Sequence, residues 1–178
     1  VDMVKSNGMN QGFMYGLAMI LIIPNIIFLL SIMGGHELIN SIFFDRALKT
    51  NFPKSASLFI LFGLFSLLIS LVPLTFGTLR ISLDRLAIFK DTAMLSIHKD
   101  GRPYKLGPLI AVIFFLLVII VMFVFGPVDM ALMCYSGFCI SKDPLLFIAA
   151  QNLLLFVAYI CSGCVIFWIV AYIKLRRL

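Results

Sequence analysis

Four long apolar runs separated by short polar segments set the pattern of this chain, at roughly residues 13–33, 55–78, 106–128 and 144–173. None of them contains Asp, Glu, Lys or Arg; the 14 basic and 8 acidic residues all lie between or beyond the runs. A helix needs ~20 apolar residues to cross ~30 Å of hydrocarbon, so each run predicts one spanning helix. The fold this predicts is all-α: a polytopic integral membrane protein, a four-transmembrane-helix bundle forming a single domain over residues 1–178.

Within the runs, the interruptions carry the information. Pro24-Asn25 falls inside the first run, where proline removes a backbone donor and kinks the helix. Asn25 is placed to re-satisfy a freed carbonyl or to bond a neighbouring helix. Asn152 is the second candidate intramembrane polar contact. In the second run Gly63, Ser66 and Ser70 recur at three- and four-residue spacing, and small residues on one helix face let backbones approach closely. They are the candidate packed centre of the bundle. The third run has neither a polar side chain nor a small-residue stripe, so it is expected to face lipid or a partner subunit over much of its circumference. The fourth opens at Asp143-Pro144, an N-cap residue followed by proline at the first helical position. Its length requires tilt, or first turns around Gln151 and Asn152 that stand above the membrane.

The connecting segments also carry pattern. Residues 41–48 read as a short interfacial helix with Phe43, Phe44 and Leu48 against Asp45, Arg46 and Lys49. Residues 79–101 read as a cytoplasmic amphipathic segment continuing or bending away from the second helix. The first run is too long for the ~7–15-residue apolar core of a signal peptide, and no A-x-A-like site follows it at Gly34-Gly35. It is expected to be a retained helix.

Composition sharpens the class. The chain is 62% hydrophobic and 12% charged, far from the ~25% charged residues of an ordinary soluble domain. The net charge of +6 is a topology signal rather than a sign of a nucleic-acid partner. Lys5, the six Lys/Arg of residues 80–105 and the three of the C-terminal tail fall on one side of a four-span chain, ten basic residues against four. Basic loops stay cytoplasmic, which predicts an N-in/C-in topology.

The four cysteines are the remaining candidates for chemistry. Cys134 and Cys139 fall in a short loop on the outer side, where a disulfide is expected. Cys161-Ser162-Gly163-Cys164 has C-x-x-C spacing, but inside an apolar helix Cys161, Ser162, Gly163 and Cys164 are read as small packing residues facing the second helix. No acidic residue lies in a span. His36-Glu37 lacks a third metal ligand, and the residues offer no nucleophile–base pair, phosphate loop or bis-histidine haem site. The sequence therefore predicts no catalytic residue, metal or cofactor. The function it favours is a non-enzymatic accessory or scaffold subunit of a larger membrane complex, with the lipid bilayer and other membrane subunits, or copies of itself, as partners. A subunit of an oligomeric channel or carrier is the alternative, and a membrane thiol–disulfide oxidoreductase a more distant one.

Overall fold

A computed structural model describes residues 2–33, 53–81, 107–125, 134–135, 138–139 and 143–175. The described residues form four helices, α1 (Asp2–Met33), α2 (Pro53–Leu79), α3 (Gly107–Phe125) and α4 (Pro144–Leu175), and a two-stranded hairpin of β1 (Cys134–Tyr135) and β2 (Phe138–Cys139). Three of the helices hold stretches long and apolar enough to cross a membrane, at Gln11–Met33, Ser55–Leu79 and Pro144–Lys174; the apolar part of α3 is shorter, Leu109–Val124. With 19 residues, α3 rises roughly 28 Å at ~1.5 Å per residue.

The helix boundaries follow the apolar runs to within about three residues except at the start of α1. Helix α1 begins at Asp2 rather than Phe13, because its polar first turns continue the helical hydrogen bonding. Helix α2 ends at Leu79, where Arg80 and Ile81 donate back to the Gly77 and Thr78 carbonyls at 3.3 and 3.1 Å. Lys174 of α4 closes that end by donating from Nζ to the carbonyls of Leu79 and Ile81 at 2.6 and 2.7 Å. A cation there also complements the negative end of the helix dipole. The expected amphipathic segment beyond residue 81 and the interfacial helix at 41–48 lie outside the described residues.

Helices α1 and α2 form the most extensive pair, α4 packs on both, and α3 rests chiefly on α4. Gly12 meets Pro73, Gly16 meets Ser70, Phe28 meets Phe59 and Ser31 bonds Ser55 at 2.9 Å. Residue numbers rise on α1 as they fall on α2, so the two are antiparallel. Helix α4 runs parallel to α2, with Phe147 on Phe59, Gly163 on Leu74 and Lys174 at Leu79.

The reason α1 and α2 approach so closely is a row of residues every fourth position on α1. Gly12, Gly16, Ile20, Pro24 and Phe28 are all buried, and i±4 rows are the ridges that interlock when helices pack closely. A Cβ built on Gly12 would lie 2.6 Å from the Pro73 carbonyl oxygen and 3.5 Å from the Gly77 Cα. At Gly16 it would overlap the Tyr159 hydroxyl and lie 3.1 Å from the Ser70 carbonyl oxygen. On α2 the matching row is Ser66, Ser70, Leu74 and Thr78, also buried.

One end of the core is aromatic. Phe28, Phe59 and Phe147 meet pairwise at centroid distances of 5.7–5.9 Å, edge-on or stacked, and Phe123 of α3 adds a fourth ring 6.3 Å from Phe59. These are distances at which aromatic pairs attract one another.

Candidate functional site

The polar groups inside the bundle sort into three kinds. Most buried hydroxyls bond their own helix. Ser66, Ser70 and Ser162 donate to the carbonyls of Gly63, Leu67 and Ala158 at 2.6–2.9 Å, and Thr75 and Thr78 do the same to Leu71 and Thr75. A hydroxyl satisfied three or four residues back presents little polarity to its neighbours, so Ser66 and Ser70 act in the α1–α2 contact as small residues. Gly63 faces the other way: its Cβ position lies 2.6 Å from Phe123 Cζ and 3.2 Å from Leu155 Cδ1. The three residues of the expected stripe thus serve two interfaces.

The second kind joins helices. Asn25 Nδ2 donates to Asn152 Oδ1, and Asn152 Nδ2 donates to Asn25 Oδ1, both at 3.0 Å. The two side chains, far apart in sequence, form a reciprocal amide pair between α1 and α4. The other N–H of Asn25 goes to the Leu21 carbonyl. That is one residue beyond the Ile20 carbonyl, which proline at position 24 deprives of its helical donor. Asn25 therefore braces the kinked turn beside the affected carbonyl rather than replacing the missing bond. Tyr159 makes a second α1–α4 link, its hydroxyl donating to the Phe13 carbonyl at 3.0 Å and its ring tilted against Phe13 at 5.3 Å.

Double substitution of Asn25 and Asn152 by leucine is expected to reveal a coupling of about 1–2 kcal/mol, since single interhelical hydrogen bonds in membranes contribute on the order of 0.6 kcal/mol and at most about 1.7. Unfolding in mixed micelles of the wild type, both single variants and the double variant measures it. Strict additivity would mean that the pair contributes nothing as a pair.

The third kind is a single residue. Gln151 is fully buried, and neither Nε2 nor Oε1 has a hydrogen-bond partner among the described residues. It lies on the buried stripe of α4 between Phe147 and Leu155. Phe147 is part of the core there, so the first turns of α4 pack within the bundle and do not stand clear of it. Asp143 starts this helix as its cap, with Oδ1 accepting from the backbone N–H groups of Leu145 and Leu146 at 2.8 and 3.4 Å.

The C-x-x-C residues differ among themselves. Cys161 is half-buried against the core, Ser162 is buried and Gly163 lies opposite Leu74 with a Cβ distance of 3.5 Å. Cys164 is exposed, and both cysteines are free thiols. The packing role expected of all four residues thus falls on the first three. Positions three apart lie ~60° apart around the helix axis, so at the edge of the contact Cys161 touches it and Cys164 falls outside.

The side chains of Cys134 and Cys139 lie outside the described residues, but their backbone register is clear: Cys134 pairs with Cys139 and Tyr135 with Phe138 in an antiparallel ladder. Directly opposed residues in such a ladder have Cα atoms ~4.5–5.5 Å apart, within the ~4.4–6.8 Å span of disulfides. Non-reducing mass spectrometry after alkylation is expected to find the loop peptide two hydrogens lighter, with Cys161 and Cys164 alkylated. Free thiols in the loop peptide would remove the disulfide.

Among the described residues no cluster of three His, Cys, Asp or Glu side chains is placed to hold a metal ion. Comparisons with protein-family models, with curated proteins and with solved structures find no match for this chain.

Proposed function

We propose that the chain is a multi-pass integral membrane protein serving as a non-enzymatic accessory or scaffold subunit of a larger membrane assembly. The observation that carries this reading is the reciprocal Asn25–Asn152 pair. These two amides are the polar side chains that the sequence offers most directly to a substrate or ion, and each instead bonds the other across two helices. The Tyr159 and Lys174 bonds and the Ser31–Ser55 pair likewise tie helix to helix, and Ser66, Ser70 and Ser162 turn back on their own backbone. Polar groups used in this way favour a fixed scaffold over a moving pathway.

The surface we assign to assembly is the outer side of α3, the helix with the fewest inward contacts among the four described. Its inward contacts are confined to a seam centred on Ile119 and Phe123, and Ile110, Phe114, Phe115, Leu117 and Val121 are exposed. A photoreactive side chain at Phe114 or Leu117 should cross-link to one defined protein subunit in native membranes. Adducts to lipid alone would remove α3 as the assembly surface. The topology that goes with this reading is N-in/C-in, from the distribution of basic residues; labelling from outside the cell of a cysteine placed at Lys99 would reverse it.

A second reading has an observation of its own. The unpartnered amide of Gln151 favours a subunit of an oligomeric channel or carrier, because an interior polar group with free hydrogen-bonding capacity is what a polar pathway needs. Assembly of identical copies, with no second protein, would favour that reading.

A further inference from the structure

We propose that the buried amide of Gln151 is an internal binding site for a small, neutral, hydrogen-bonding ligand, and that its occupant is water. The argument begins with the cost of the alternative. A primary amide withdrawn from water with no partner loses roughly 2–7 kcal/mol, depending on the reference state. The great majority of buried polar side-chain atoms in folded proteins accordingly have a partner, protein or ordered water. Gln151 is fully buried with both amide atoms unpaired among the described residues, and the neighbours on its own stripe, Phe147 and Leu155, have no hydrogen-bonding side chain.

The surroundings define what fits. Gln151 alone offers two donors and an acceptor with two lone pairs. A bound water typically makes ~3 hydrogen bonds, within a range of 2–4, and the Gln151 amide supplies both a donor and an acceptor for them. A cation or anion does not suit the site. The candidate spans carry no charged residue between Gln11 and Met33, between Ser55 and Leu79, or from Pro144 up to Lys174, so nothing at this depth compensates a charge, and an unpaired buried ion is far more costly than a neutral molecule. The site does not depend on the assembly reading, and it stands or falls separately from it.

The sequence makes the test unusually clean, because the chain contains two glutamines, Gln11 and Gln151. Selective ¹⁵N-glutamine labelling of the whole protein in nanodiscs therefore gives two side-chain NH₂ pairs, assigned by loss of one in Gln151→Met. The Gln151 pair is expected to show direct cross-relaxation to a long-lived water, separated from chemical exchange by comparing NOE with ROE signs, while exposed Gln11 shows exchange with bulk solvent. Gln151→Met, close in shape and without the amide, is expected to lower the midpoint of thermal unfolding by several degrees. A Gln151 NH₂ signal with cross-relaxation only to aromatic protons and none to water would overturn the site. A Gln151→Met variant that unfolds at a higher temperature than the wild type would overturn it as well, since removing a truly unsatisfied amide stabilises.

Discussion

Gly12→Leu is expected to abolish the folded bundle, whereas Ala18→Leu on the exposed side of the same helix leaves it intact. The difference lies in what each new side chain meets. A single carbon on Gly12 would already sit 2.6 Å from the Pro73 carbonyl oxygen, and a backbone atom in the middle of a helix cannot rotate out of the way. The helices must separate, and separating α1 from α2 undoes the largest interface in the molecule. In lipid no hydrophobic gain rewards the looser arrangement, because helix association there rests on close packing and hydrogen bonds. Overpacking a well-filled interface costs about 1–3 kcal/mol and occasionally more; Gly12→Ala should fall in that range and Gly12→Leu beyond it. Gly16→Ala should behave similarly, because the added carbon displaces the Tyr159 hydroxyl from its bond to the Phe13 carbonyl. The measurement is the yield of monodisperse protein in mild detergent together with the unfolding midpoint. Wild-type behaviour of Gly12→Leu would show that α1 and α2 do not approach this closely.

The second large effect is expected at Gly63. Leucine there would drive into Phe123 and Leu155, the two side chains through which α3 and α4 meet the middle of α2. The obstacles are side-chain ends rather than backbone, so Gly63→Ala should be accommodated by small movements. Gly63→Leu should displace α3 and cost about 1–3 kcal/mol. Leu117→Ala, on the exposed side of α3, should stay within about 0.5 kcal/mol for the isolated protein, as surface changes do. If Gly63→Leu is silent and Leu117→Ala destabilises the isolated bundle, α3 packs by its opposite face.

These two glycines show which parts of the architecture were legible in the sequence. The helical class and the apolar runs follow from hydropathy, because the requirement to hide backbone polar groups in hydrocarbon leaves helices as the solution for such segments. Gly63, Ser66 and Ser70 stand out as small residues in a run of large ones, but spacing alone does not say that Gly63 serves one neighbour and the serines another. Gly12 and Gly16 were missed as packing residues although Gly8, Gly12 and Gly16 recur every fourth residue in plain view. The apolar run begins at Phe13, and a criterion based on hydrocarbon thickness cuts through that repeat, whereas the helix and its close contact continue past it.

The amide pair was half-legible. Asn25 and Asn152 are each conspicuous in an apolar run, but their meeting depends on the relative depth and rotation of α1 and α4, which no local pattern encodes. Gln151 was the hardest to place. Two polar residues in succession near the start of a long helix read as part of a tilted span or as turns above the membrane, and it is the burial of Phe147 and the Asn152 contact that pack these turns against the bundle. Cys164 illustrates the same limit: C-x-x-C spacing is visible, while which cysteine faces the core is set by helix rotation.

The central proposal, that this bundle works as a subunit of a larger assembly, is tested most directly by native mass spectrometry of the protein isolated from its own membrane in mild detergent, with every co-purifying chain identified. The account predicts a species of fixed stoichiometry that contains this chain together with at least one different membrane protein. A monomer or a pure homo-oligomer carrying only lipid would contradict it.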